Sequence, residues 1–358
     1  MRLRTVLATL TAGLAAATCL SAAGSANAAE TNSAGANACS PAVSIDRFSD
    51  ALDKTTYQGN VVGNFSALAR DPDGTLAALS DRSALFSLDA KTLAPKAVVP
   101  LADENGAALD SEGLVIDLPH SRLRSSGGTP TATLLITSET EPSVRRYSRD
   151  GHVLDRLPVP PSLLVAPAGR ATSNQTFEGL TLLPGGRTLL ASMEYAISGD
   201  TAGIVRFQTW ERTKGDHFRL GAQYAYRTDS GLGVPEVQAT PDGRLLVLER
   251  GFTSGVGNTV RLYLADPRHA TDTSGIDNLT GQAGVRLIKK TLLTDIATCP
   301  ALGATAKQPQ TNSLLDNIEG MTITGRAHGR LKVLLVSDDN QNAAQTTRFY
   351  YLRVRTTP

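Results

Sequence analysis

Apolar positions along this chain fall in short runs, and five of those runs end the same way. Residues 75–81 read TLAALSD, 133–139 TLLITSE, 188–194 TLLASME, 243–249 GRLLVLE and 332–338 KVLLVSD. Each is long enough for one strand and closes on a carboxylate. Each also follows a second apolar segment: FSAL at 65–68, SEGL at 111–114, FEGL at 177–180, PEV at 235–237 and IEGM at 318–321. Turn signals separate opener from closer, as PDG at 72–74, PGG at 184–186 and PDG at 241–243, so each pair reads as a β-hairpin. The second and fifth copies have longer connections, through SSGG at 125–128 and through 325–329. A further β-rich run follows most closers, such as IVRF at 204–207, VRLYL at 260–264 and RFYYL at 348–352.

No stretch carries the i, i+3, i+4 stripe of an amphipathic helix. A unit of several short strands that recurs five times predicts an all-β protein, a β-propeller of four-stranded blades. The expectation is six blades, with five or seven possible. A sixth could lie in the long interval between Glu236 and Glu319. Alternatively, residues 42–62 could complete the last blade.

The hairpin pattern makes a specific claim about charge. The first residue of one strand and the last of the next share the end opposite the turn, so opener and closer acids are neighbours. A propeller turns that end of every blade toward one face. Glu112, Glu139, Glu178, Glu194, Glu236, Glu249, Glu319, Asp81, Asp338 and Asp339 would then crowd one mouth. Such a group needs a cation, basic partners, hydrogen-bond donors or shared protons. Hard oxygen donors favour calcium, with magnesium second. Glu112, Glu178, Glu194, Glu236, Glu249, Glu319, Asp338 and Asp81 are the expected ligands. Two closers run straight into arginine, at Arg82 and Arg250, which could grip a phosphate or carboxylate. Glu178, Glu319, Arg82 and Arg250 are accordingly the candidate catalytic residues. The alternative is structural: the acids cap backbone N–H groups or tie blades together, and the arginines neutralise them.

Composition narrows the setting. Arg2 and Arg4, an apolar stretch over 6–20 and Ala26-Asn27-Ala28 form a secretory signal, with cleavage expected after Ala28. Cys19 offers a lipoprotein cysteine as a weaker alternative. Residues 29–41 read as a flexible leader and 42–358 as one propeller domain. Removing the signal leaves 33 basic and 34 acidic residues, a balance that does not suit nucleic acid. No later segment is long and apolar enough to anchor the chain in a bilayer. Cys39 and Cys299 then remain as a pair in an exported chain, which predicts a disulfide. A monomer acting on a small anionic or ester substrate is expected.

Other chemistries lack their residues. There is no G-x-S-x-G elbow and no H-E-x-x-H zinc pattern. His120, His152, His217, His269 and His328 avoid the repeated positions. Trp210, Tyr224, Tyr226, Tyr350 and Tyr351 read as blade packing.

The segments at 177–196 (FEGLTLLPGGRTLLASMEYA), 235–252 (PEVQATPDGRLLVLERGF), 316–325 (DNIEGMTITG) and 336–340 (VSDDN) resemble the phytase-like family, labelled "esterase-like activity of phytase". The resemblance spans about 60–354. It implies a β-propeller, exported bacterial relatives, and hydrolysis of phosphate esters or other esters. The D-D-P-A run of calcium-dependent propeller phytases is absent here, so those enzymes resemble the chain in broad architecture only. The E-G-L openers are also similar to the metal-binding glutamates of propeller lactonases. The competing function is a non-catalytic propeller that binds a ligand or partner around a structural ion.

Overall fold

A computed structural model describes residues 37–118 and 132–357. The signal sequence, Cys19 and most of the leader lie outside these residues, as do His120 and the SSGG connection at 125–128.

Among the described residues the chain forms strands and two single-turn 3-10 segments, Pro161–Leu163 and Ile296–Thr298. The strands are β1 (Val43–Ser49), β2 (Thr55–Tyr57), β3 (Asn60–Val62), β4 (Phe65–Arg70), β5 (Leu76–Ser80), β6 (Ala84–Leu88), β7 (Pro95–Pro100), β8 (Ser111–Asp117), β9 (Thr133–Ser138), β10 (Ser143–Tyr147) and β11 (Val153–Arg156). They continue as β12 (Phe177–Leu182), β13 (Thr188–Met193), β14 (Ile204–Arg212), β15 (Phe218–Arg227), β16 (Gly233–Ala239), β17 (Leu245–Thr253), β18 (Gly257–Asp266), β19 (Lys289–Asp295), β20 (Ile318–Ala327), β21 (Arg330–Ser337) and β22 (Phe349–Val354).

These strands make five antiparallel sheets of four: β4–β7, β8–β11, β12–β15, β16–β19, and β20, β21, β22 with β1. The innermost strands β4, β8, β12, β16 and β20 pack one against the next, and β20 meets β4 to close the ring. The fold is a β-propeller, with five blades rather than the six expected. The interval after Glu236 holds the rest of blade four and two long loops, one between β18 and β19 and one after β19. One of those loops folds back on blade three, where Ile288 N–H bonds Ala225 O and Leu279 packs on Ile204. The alternative use of residues 42–62 describes β1, which supplies the outer strand of blade five. The β2–β3 hairpin forms its own two-stranded sheet and packs on blade one, where Tyr57 Oη donates to Lys96 O at 2.7 Å.

Local chemistry explains the repeat. In the 72–74 turn Gly74 has φ +90°, a left-handed conformation that costs glycine little, and Asp73 Oδ1 accepts the Thr75 N–H at 2.8 Å. The glycine of each E-G opener serves a different need. A Cβ on Gly113 would lie 2.4 Å from Glu178 O, and one on Gly179 would lie 2.4 Å from Val237 N. Only glycine lets neighbouring inner strands come this close at the crowded axis. Between blades, apolar side chains fill the wedges, as where Phe65 of blade one meets Phe349 of blade five edge-on at 6.1 Å between centroids.

The ring is closed by chain ends. β1 pairs with β22 from Val43↔Val354 to Ser49↔Phe349. Cys39 and Cys299 form the expected disulfide just ahead of that strand. Residues ahead of Ala42 are already paired, since Ala38 bridges to Ser44 and Cys39 N–H bonds Val43 O.

Candidate active site

The inner strands start around one end of the axis, and there a cavity of about 350 Å³ opens. Eight carboxylates line it: Asp81, Asp110, Glu112, Glu139, Glu178, Glu194, Glu319 and Asp338. Two guanidinium groups, Arg82 and Arg250, face them, which leaves a formal surplus of six negative charges if every acid ionises. Among the described residues, no histidine or cysteine lines it.

Irregular pairing aims the openers inward. Glu112, Glu178 and Glu319 each sit where the register between first and second strands shifts: between Ser111 and Leu114, Phe177 and Leu180, and Ile318 and Gly320. A bulge of this kind rotates a side chain out of the sheet's alternation. Here it points carboxylates at the axis. In blade one the same position is Ser66, between Phe65 and Ala67, and it too lines the cavity.

The acids form two triads that share a member. Asp110, Glu112 and Glu139 can bring one oxygen each within 4.8 Å of one another, and so can Glu139, Glu178 and Glu194. Burial pushes Glu112 and Glu178 well above the usual carboxyl range, and mutual repulsion adds to it. Glu139 rises to about 7, chiefly through burial and then through the charge of Glu194, although Thr176 N–H donates to it at 2.9 Å. Asp81 also reaches about 7 through burial and the nearby Asp338. Asp338 reaches about 6 through burial, against the Asn340 N–H at 2.8 Å.

On the other side of the cavity Arg250 Nη2 lies 3.0 Å from Glu319 Oε1 and 3.3 Å from Glu194 Oε1. Asn317 Nδ2 donates to Glu319 Oε1 at 3.0 Å. Arg82 is more than half exposed at the rim, with its Nε 3.5 Å from Asp81 Oδ1.

Three of the expected acids do not line the cavity. Glu249 is fully buried inside blade four. It accepts hydrogen bonds from Tyr226 Oη at 2.6 Å, Asp229 N at 2.7 Å and Lys290 Nζ at 2.5 Å. The reason is register. In blade four the shift falls earlier, between Gly233 and Glu236, and β17 stays in its ladder through Glu249, opposite Arg261. Strand alternation then turns Glu249 sideways and presents Arg250 to the cavity. Glu236 is buried on the axis, where the N–H groups of Val237, Leu180 and Met321 bind its carboxylate. It links three inner strands. Asp339 accepts the Asn64 N–H at 3.1 Å and pairs with Lys54.

The cavity also gathers residues that the repeat did not point to. Asp110 stands two positions before an opener glutamate, and that local D-x-E pattern was its only signal. Asn174, Phe252, Asn258, Asn317, Asn340 and Gln345 come from loops and a hairpin tip, outside any repeated position.

Residues 60–341 match the family model described as "Phytase-like: Esterase-like activity of phytase". The chain belongs to this family. No curated protein matches the sequence. Among solved structures it is similar to the glutaminyl cyclase of Myxococcus xanthus, at 12% identity and a TM-score of 0.41, over 88% of this chain and 97% of that one. It is also similar to a protein of unknown function from Bacteroides caccae, at 10% identity and a TM-score of 0.33, over 76% and 69% of the two chains. No described helix of this phytase-like protein is long and apolar enough to cross a membrane.

Proposed function

We propose that this phytase-like protein is an exported, calcium-dependent hydrolase of small phosphate esters, working in the acid-lined cavity. The observation that carries the reading is the pairing of charges in the cavity: two carboxylate triads sharing Glu139, with Arg82 and Arg250 lining the same cavity and Arg250 Nη2 within 3.3 Å of the triad member Glu194. The cavity's eight acids form a hard oxygen donor set that suits calcium. Asp110, Glu112, Glu139, Glu178 and Glu194 would hold the ion, and Asp81 and Asp338 flank the site. A bound cation supplies polarisation of a phosphoryl oxygen and a more acidic water.

The chain's own residues supply the rest. Arg250 and Arg82 offset the charge of the substrate's non-bridging oxygens. Glu319 lies outside both triads. It is oriented by Arg250 and Asn317, and burial raises its affinity for a proton. It is the group we assign as general base toward an attacking water. Water oxygen bonds to phosphorus, its proton passes to Glu319, the bond to the alcohol oxygen breaks, and that oxygen takes a proton from solvent to leave as the alcohol.

The test is phosphate release by the purified chain from residue 29 onward, with calcium and with a chelator, from phytate and from an aryl phosphate. Calcium-dependent release from either supports the hydrolase. Absence of release in both conditions overturns phosphate-ester hydrolysis and moves the search to lactones and carboxylic esters. A binding propeller with a structural ion is the second reading. It is favoured by Glu139 and Asp338 each accepting a backbone N–H, as structural caps do.

A further inference from the structure

Blade four differs from the other blades at the cavity. In the other four, the second strand stops at or just before its closing acid. β17 instead runs past Glu249 to Thr253, and its ladder with β18 continues to Thr253↔Gly257. The hairpin therefore overhangs the mouth. It is held there from below: Gln310 Oε1 accepts the Asn258 N–H at 2.7 Å, and a Cβ on Gly257 would come within 2.3 Å of that oxygen.

What the overhang presents is unlike the rest of the cavity. Phe252 lines the opening with 57% of its surface exposed, and Val256 at the tip is 50% exposed. Beneath them Asn258 lines the cavity at 3% exposure, and its Nδ2 has no hydrogen-bond partner. Arg250 lies on the same hairpin, and its Nε is also unpartnered. The hairpin thus brings two unpartnered donors, beneath an exposed aromatic ring, to a cavity lined mainly by acids. Burying an unsatisfied donor is costly, so donors left unmade in a cavity fit an acceptor brought by a ligand. An exposed phenyl ring at the rim of a polar cavity fits an apolar face on the same ligand.

We propose that the β17–β18 hairpin selects the substrate: a phosphoryl group received by Arg250 and Asn258, carrying a flat apolar substituent that stacks on Phe252. This deepens the hydrolase reading and rests on its site, but it concerns binding and can be tested without turnover.

The experiment uses two non-hydrolysable probes, phenylphosphonate and methylphosphonate, titrated calorimetrically into the calcium-loaded protein. Phenylphosphonate is expected to bind about tenfold more tightly. Phe252→Ala should abolish that preference while leaving methylphosphonate affinity, calcium affinity and melting temperature unchanged. Asn258→Ala should weaken both probes alike. Phe252→Leu should keep part of the preference. Equal binding of the two probes by the native protein would overturn the proposal, as would a preference that survives Phe252→Ala. So would failure of both to bind a protein that binds calcium. If the probes discriminate as expected but no ester is turned over, the hydrolase reading falls and the selective site stands.

Discussion

Arg250 reaches from blade four until its Nη2 lies 3.0 Å from Oε1 of Glu319 in blade five. Of the two arginines that line the cavity it is the less exposed, and it lowers the proton affinity of both Glu319 and Glu194. Replacing it with methionine keeps the length of the side chain and removes the charge. Urea unfolding at pH 8 in chelator should then show a loss of about 3 kcal/mol, the usual cost of stripping one partner from a buried pair. Saturating calcium should recover much of the loss, because a second source of positive charge enters the same cavity. A variant as stable as the native protein in chelator would show that the pair does not hold the mouth together.

The raised carboxyls make a prediction about pH. An acid with a higher pKa in the fold than in the unfolded chain keeps its proton longer when folded. Folding then takes up protons between the two values, and stability falls as pH rises through that window. Asp81 and Glu139, at about 7, and Asp338, at about 6, place the window between about 4 and 7. In chelator the melting temperature should fall steadily from pH 4.5 to 7.5. Calcium competes with those protons, so its stabilisation should be small at pH 4.5 and grow toward pH 8. It should reach about 2.7 kcal/mol at a hundredfold excess over the dissociation constant. A calcium effect independent of pH would place the ion away from these acids.

Much of this architecture is written in the chain, and the exceptions have a common cause. A hairpin's open end is set by strand period and turn position, which are local, so Glu112, Glu178, Glu194, Glu319, Asp81 and Asp338 fall at one mouth as their spacing implies. Blade number is a long-range property: five units were countable, but nothing local says that the interval after Glu236 is loop rather than strand. Glu249 shows the limit most clearly. Its segment GRLLVLE looks like the other closers, and only the position of one register shift turns it into the blade. The buried Arg145, Arg206 and Arg348, paired with Glu104, Asp200 and Asp50, lie in or beside the third strands of three blades. They recur as plainly as the acids, yet alternation alone does not say which face an arginine takes.

Glu178 and Glu249 therefore make an informative pair. Glu178→Gln removes one negative charge from a triad while keeping its shape. Calcium affinity should drop on the order of tenfold or more, since affinity follows ligand charge. The chelated protein should melt no lower than native, because repulsion is relieved. Glu249→Gln should do the reverse. It leaves Lys290 and Tyr226 without their buried partner charge and should cost about 3 kcal/mol, with calcium affinity unchanged. Calorimetric calcium titration and thermal melting of both variants read the two effects separately. Loss of calcium binding in Glu249→Gln would return that residue to the mouth.

The ring closes where strands from the two ends of the chain meet in blade five. β1 is the one strand of blade five drawn from the N-terminal side of the propeller, and Cys39 precedes it by a few residues. The cross-link spans a sequence separation of 260, so it removes a large amount of chain entropy from the unfolded state. Replacing both cysteines with serine should lower stability by roughly 2–5 kcal/mol. The loss should begin locally: β1 should exchange its amide hydrogens faster than β21, while calcium affinity stays as in the native protein. Uniform acceleration of exchange across all five blades would instead mean that the disulfide secures the whole ring rather than its seam.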